Sequence, residues 1–334
     1  MNSQLSRAGS SRYLYGFYNL ILIVKTRNYS SLKNIERLLS IIDLASNPSR
    51  HMKVMKAIGA KELHPVLLKQ PQAPIKYLHR RYLALDLSTS QRAAMFCYHY
   101  QYASMYFSQS LVEQVLSSDL QLWSYSDSDH THRIGLKLSH FIDNEGELTA
   151  EYIFDATPIF AISFTIINAS IIGLMAEPVL FVTRVQGMRD NFTAVRQATK
   201  LLKEISPPFA IIAALQGFTT AFAIRGLIGV PVEQQVCFDN PGGKNELLYD
   251  RFFEALGAIT LAELDPPSTR DAAAARRHGG YFYVSLPSPE KPIMNIERSH
   301  RRRTVAKRKF RRQISDMALQ AATDSASATF HTSQ

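Results

Sequence analysis

The chain has 334 residues, 46% of them hydrophobic and 20% charged, with a formal net charge of +10. That balance excludes a disordered or collagen-like polymer and is sufficient for one large or two modest hydrophobic cores. Two cysteines, Cys97 and Cys237, exclude a disulfide framework and suit a reducing compartment.

Residues 1–12 are polar and read as a flexible N-terminus. Arg7 and Arg12 precede an apolar run, YLYGFYNLILIV, but no small-residue cleavage site follows, so a cleaved signal is not expected. From 13 to 125 the pattern is mostly helical, with Leu32, Ile35, Leu38, Leu39 and Ile42 on one stripe. LHPVLLKQPQAPIKY reads as a proline-rich connector. Ser88 and Ser90 then introduce one long helix from Gln91 to about Ser117, in which Phe96, Tyr100, Phe107, Leu111 and Val115 fall at helical spacing. Aromatic stripes of this kind read as core packing rather than a cofactor box.

After Trp123 the period shortens to that of strands. A hairpin is expected from 134–142 through the DNEG turn into ELTAEYIF, followed by strands at 159–167 and 179–186. The order continues with a helix at 191–204 and an uncharged helix at 205–224. Ser206 is a suitable N-cap there, its hydroxyl accepting a backbone N–H, with Pro207 and Pro208 in the first turn. A strand at 225–230, a helix at 246–256 stopped by Gly257, and a strand at 281–286 complete the region 126–290. The expected fold class is α+β: a helical N-terminal region, then an antiparallel sheet with packed helices. The uncharged stretches 156–176 and 205–224 are long enough to cross a bilayer, but Pro158, Asn168 and Gly173 favour two strand-like pieces in the first. A membrane-spanning protein is the lesser alternative.

Most of the net positive charge collects in 291–322, which reads as a basic helical tail, with 323–334 disordered. Arg301, Arg302, Arg303, Lys307, Arg308, Lys309, Arg311 and Arg312 would contact an anionic membrane or another anion, and Val305, Phe310 and Ile314 would form an interfacial apolar strip. A protein partner is the other reading. Nucleic acid is not favoured, because no RNA-binding signature or helix-turn-helix accompanies the charge.

Other constellations are weaker. Asp127, Asp129, His130 and His132 have metal-ligand chemistry at close spacing, yet a solvated loop before a strand is the preferred reading and no metal is assigned. DNPGGK at 239–244 could cradle a phosphate but lacks the length and hydroxyl of a P-loop. Asp250, beside Tyr249, could move a proton if buried.

The strings FVTRVQG, AIIAALQGFTTAFAIRGLIGV and LYDRFFEALGA, in that order before YFYVSLP and a basic tail, resemble the bacterial VirK/YbjX family over roughly residues 50 to 315. That family is a domain of unknown function linked to virulence and to tolerance of antimicrobial peptides. Membership implies a cytoplasmic protein, or one peripheral at the inner membrane, acting in envelope stress or virulence without an established activity. The element order is also similar to that of GNAT acyltransferases. This second resemblance implies an acyl-thioester donor, either coenzyme A or a carrier protein, held at Gln186, Gly187 and Arg189, with Tyr249 or Asp250 handling protons. The chain departs from that pattern: the glycine-rich donor motif is missing, an extra helix follows the fourth strand, and Phe253 stands where a tyrosine is common.

Overall fold

The computed structural model describes residues 31–118, 120–236, 246–264, 278–286 and 297–327. Residues 13–30, DNPGGK and Cys237 lie outside that set. The described chain opens with helices Ser31–Ser46 (α1) and Pro48–Ile58 (α2). The expected proline-rich connector is helical instead. His64–Lys69 (α3) and a 3-10 turn at Ala73–Leu78 place Pro65 and Pro74 in their first positions, where a missing N–H forfeits no intrahelical bond.

Ser88 caps Thr89–Tyr106 (α4) in a reciprocal box: Gln91 N–H donates to Ser88 Oγ at 3.2 Å, and Ser88 N–H donates to Gln91 Oε1 at 3.0 Å. The helix does not run on to Ser117 as expected. Ser108 takes the N–H of Leu111 at 3.1 Å, which starts a separate helix, Gln109–Ser117 (α5), after a break at Phe107.

Leu120–Ser126 (β1), Thr131–Leu138 (β2), Leu148–Phe154 (β3), Thr157–Asn168 (β4) and Pro178–Gly187 (β5) form an antiparallel meander. β1 escapes the sequence reading because a register shift between Gln121 and Trp123 breaks its alternation. The two pieces expected in 156–176 are one strand, β4, and a 3-10 turn, Ala169–Ile172. Helices Phe192–Leu201 (α6) and Pro207–Ala221 (α7) cross to Gly226–Gly229 (β6), which pairs parallel to β5. Next come Glu246–Ala255 (α8), Ile259–Thr260 (β7), Leu261–Leu264 (α9) and Phe282–Ser285 (β8). β8 inserts between β6 and β7, giving the sheet order β1-β2-β3-β4-β5-β6-β8-β7 among the described residues.

Consecutive residues of β4 face opposite ways. Phe164 meets Phe218 of α7 across a 6.4 Å ring separation, whereas the Thr165 hydroxyl turns to the polar groups under α4 and accepts the Glu147 N–H. α7 therefore covers one face and α4 the other. The uncharged helix is core: Ile211, Leu215 and Phe218 of α7 are buried, and no helix of the described residues is long and apolar enough to cross a membrane. Pro207 leads it as expected, but Ser206 has an N-cap backbone without the side-chain bond.

Arg298–Ser327 (α10) closes the same face as α7. Phe310, Ile314, Ala318 and Ala322, one turn apart, are all buried; the Phe310 ring stands edge-on to Trp123 of β1 at 6.0 Å. Two sequence expectations are corrected here. The apolar strip of the basic segment is consumed inside the protein, except for Val305, and helix extends to Ser327, into the stretch read as disordered. A run of small residues explains the second: the Ser325 C=O accepts from the Ser108 hydroxyl at 2.5 Å and its own hydroxyl donates to Gln114, fastening the helix end to α5.

Candidate functional site

β5 and β6 are parallel only over Val179–Val182 against Gly226–Gly229. Beyond that, β5 stays paired to β4 as far as Gly187 with Phe160, while the other chain turns away at Pro231 into a 3-10 turn, Val232–Gln234. From Thr183 onward, the β6-side edge of β5 has no strand partner among the described residues. An open strand edge carries backbone donors and acceptors that a ligand can pair.

Polar side chains gather at this opening. Arg184 of β5 reaches Glu145 at 3.3 Å and Asp143 at 3.5 Å, and its Nε donates to Gln186 Oε1 at 3.1 Å. The Thr183 hydroxyl donates to the Glu145 carbonyl, locking the 139–147 connection onto β5. From α8, Tyr249 enters the same neighbourhood. Its hydroxyl lies beside Gln235 Nε2, and both are buried with no other hydrogen-bond partner among the described residues. Burial, then the charges of Glu145 and Asp250, push the Tyr249 phenol well above its ordinary value, with only the Gln235 carboxamide opposing. Asp250 is half-buried and accepts the Val232 N–H at 3.1 Å.

Thus Gln186 is joined to Glu145 through Arg184, and Tyr249, with Asp250 next to it in the chain, feels the Glu145 charge. Gly187 and Arg189 lie exposed at the mouth, in the turn before α6. The Met188 N–H is already bonded to the Ile159 carbonyl, but those of Arg189 and Asp190 have no acceptor among the described residues. Sequence reasoning missed Glu145, Arg184 and Gln235. Arg184 sits inside FVTRVQG, the one charge in an otherwise buried strand, and that was an available signal.

Two other polar clusters were also missed. Glu147, 1% exposed, takes Lys76 Nζ and the Tyr82 hydroxyl on Oε1, both at 2.8 Å, and the Tyr100 hydroxyl on Oε2. Burial would raise this carboxyl. The Lys76 ammonium, His99 and the hydrogen bonds outweigh it and hold the group below its usual range. On the far side of α4's N-terminus, Asp86 holds His278 Nδ1 at 2.8 Å and the Tyr281 hydroxyl at 2.5 Å, while His278 Nε2 meets Gln91 Nε2 at 3.0 Å. Each of these groups has its partners, the Glu147 cluster is closed to solvent and the Asp86 cluster only partly open, so we read them as ties between α4 and the sheet.

The Asp127 to His132 stretch is the hairpin turn joining β1 to β2. Asp127 Oδ1 accepts the N–H groups of Asp129 and His130, and His130 Nδ1 pairs with Asp155 at 2.7 Å. His132, inside β2, is buried, with Nδ1 2.6 Å from the Tyr152 hydroxyl. His130 precedes the strand and stays in the turn with Asp155, and no group of three or more His, Cys, Asp or Glu among the described residues is placed to hold a metal ion.

A family profile described as "Protein of unknown function (DUF535)" matches residues 32–312. An "Uncharacterized protein YbjX" from Escherichia coli (strain K12) is 23% identical over 210 residues, which is 60% of this chain and 62% of that protein. The chain thus aligns with less than two thirds of that relative's length. No solved structure matches it.

Proposed function

We propose that this chain, which belongs to the DUF535 family of proteins of unknown function, transfers an acyl group from a thioester donor seated along the open edge of β5. The observation that carries the reading is the parting of β5 and β6 beside a buried tyrosine hydroxyl whose one polar neighbour among the described residues is the Gln235 carboxamide. A parting parallel pair leaves a slot between two backbones, and the amides of a pantetheine arm would pair with β5 as an added strand does. Coenzyme A or a carrier protein would both present such an arm. Its phosphate end would meet the free N–H groups of Arg189 and Asp190, the Arg189 guanidinium and the N-terminus of α6, with Gln186 and Gly187 forming the lip.

In the reaction an acceptor amine or hydroxyl attacks the thioester carbonyl, the C–S bond breaks, and the departing thiolate takes a proton from Tyr249. Tyr249 is protonated at neutral pH, as a donor must be, while burial, by raising its pKa, opposes the transfer rather than driving it. Glu145 or Asp250 receives the proton that the acceptor loses. We place this activity at the cytoplasmic face of the inner membrane, in an envelope-stress or virulence response, following the family resemblance.

The test is thermal unfolding of the purified protein with coenzyme A and a panel of acyl-thioesters, followed by turnover. A donor at a hundredfold excess over its Kd stabilises the native state by roughly 2.7 kcal/mol. Tyr249→Phe is expected to keep that shift and lose turnover by about 10²–10⁴-fold, and Arg189→Ala to lose the shift. If no thioester moves the melting temperature, the reading fails.

A further inference from the structure

We infer that α6 and the first half of α10 together form a docking surface for a bilayer containing anionic phospholipid. This proposal is independent of the acyl-transfer reading.

α6 lies almost bare on the molecule, with Ala198 its one fully buried residue. Phe192, Arg196 and Lys200 follow one another at single-turn spacing along its outer side, and Phe192 is 72% exposed. The Arg196 guanidinium stacks over the Phe192 ring at 5.5 Å, so a cation and an apolar ring are presented as a unit. Leu201, 38% exposed, adds an aliphatic group at the helix end. The row then meets Glu204, which is gripped by Lys307 at 3.2 Å and Arg303 at 3.6 Å. That grip ties α10 to the end of α6, and Arg302, Val305 and Lys309 line the opposite, outward side of α10, with Val305 43% exposed.

Within residues 189–204 and 298–315 the acidic residues are Asp190 and Glu204, the second neutralised by its two partners. The acidic turn of Asp127, Asp129 and Asp155 borders the patch beyond Gln197, which contacts His130 at 3.1 Å. Charge complementarity thus selects an anionic occupant. The apolar side chains select among anions. Phe192, Leu201 and Val305 stand on helix ridges among the cations, an arrangement that inserts between headgroups while the charges stay at their level. A nucleic acid would engage the charges and leave the two aliphatic groups unused. The surface differs from that expected from the basic segment alone, whose apolar strip is buried against α7 and β1.

The experiment is sedimentation of the full chain with phosphatidylcholine vesicles, with and without phosphatidylglycerol, at low and high salt. Binding is expected only with phosphatidylglycerol and is expected to fall with salt. Phe192→Ser, the pair Arg196→Glu/Lys200→Glu, and the pair Arg302→Glu/Lys309→Glu should each weaken it by about tenfold or more, at unchanged melting temperature. Reversal of the exposed Lys53 and Lys56 on α2 should leave it unchanged. Equal binding to phosphatidylcholine alone, indifference to both α6 variants, or loss of duplex binding instead of vesicle binding in the same variants would each overturn the proposal.

Discussion

Gly217 offers the sharpest test of the fold. It faces α10 at the closest approach of the two helices: a methyl group there would stand 2.9 Å from the Ala318 Cβ, 2.6 Å from the Leu319 nitrogen and closer still to the Ser315 carbonyl oxygen. Two of those three are backbone atoms of a helix and cannot swing aside. Gly217→Ala must therefore push α10 outward by the better part of an ångström. In an unobstructed helix interior the same substitution stabilises by about 1 kcal/mol. Here it opposes the seating of Ile314, Ala318 and Phe310, all buried in that seam. Forced overpacking costs about 1–3 kcal/mol, and partial re-exposure of one large side chain adds a further share of its roughly 1.5–3 kcal/mol. The expected net effect is destabilisation of about 1–4 kcal/mol. Urea unfolding followed by near-ultraviolet circular dichroism of Trp123, which touches Phe310, would report both the loss and its place. A Gly217→Ala protein as stable as the parent, or more stable, would refute the packing argument.

Lys76→Met should cost about 3–5 kcal/mol, because it strands the Glu147 carboxylate in the core; adding Glu147→Leu should restore part of that stability in denaturant titrations. His99 is driven to about 4 by burial, against a smaller opposing pull from Glu147, so the unfolded chain binds its proton first as the pH falls. Stability should therefore decline from about pH 6.5 toward 4 with a slope of up to ~1.4 kcal/mol per unit from this residue, and His99→Gln should flatten that segment of the profile. Burial also pushes the half-buried Cys97 thiol up to about 11, so thiol reagents at pH 7–8 should label it far more slowly in native than in urea-unfolded protein; equal rates would contradict its placement.

Local chemistry was legible where one interaction decides the structure. The start of α4 at Ser88, the Pro207 start of α7 and the Gly257 stop after α8, with φ of 80°, each follow from the residue itself. Ser108 was equally capable of capping, but inside a continuous apolar stripe its competition with the helix could not be weighed from the chain alone. Pro65 and Pro74 read as breakers because proline ends helices more visibly than it begins them. Gln186 and Tyr249 were nominated together through a resemblance, whereas Arg184 and Glu145, which lie near both, become visible only in the fold. Glu147 and Glu151 look alike in GELTAEYIF. One is buried with Lys76 and the other pairs with Lys137 nearer the surface at 2.7 Å, and nothing within a few residues distinguishes them. Arg184–Glu145 and Asp86–His278 are non-local for the same reason.

The last described helix has a consequence for how the protein is made. Synthesis delivers the meander β1–β5 and then α7 well before α10, yet the outer side of α7 and the inner side of β1 are covered by residues 310–322. At ~5–20 residues per second, the nascent chain carries an uncovered apolar face for seconds after its central sheet has been made. A product stopped anywhere before Phe310 keeps that face permanently. α10 thus acts as a seal over that face, and partial chains expose the apolar surface it would have hidden.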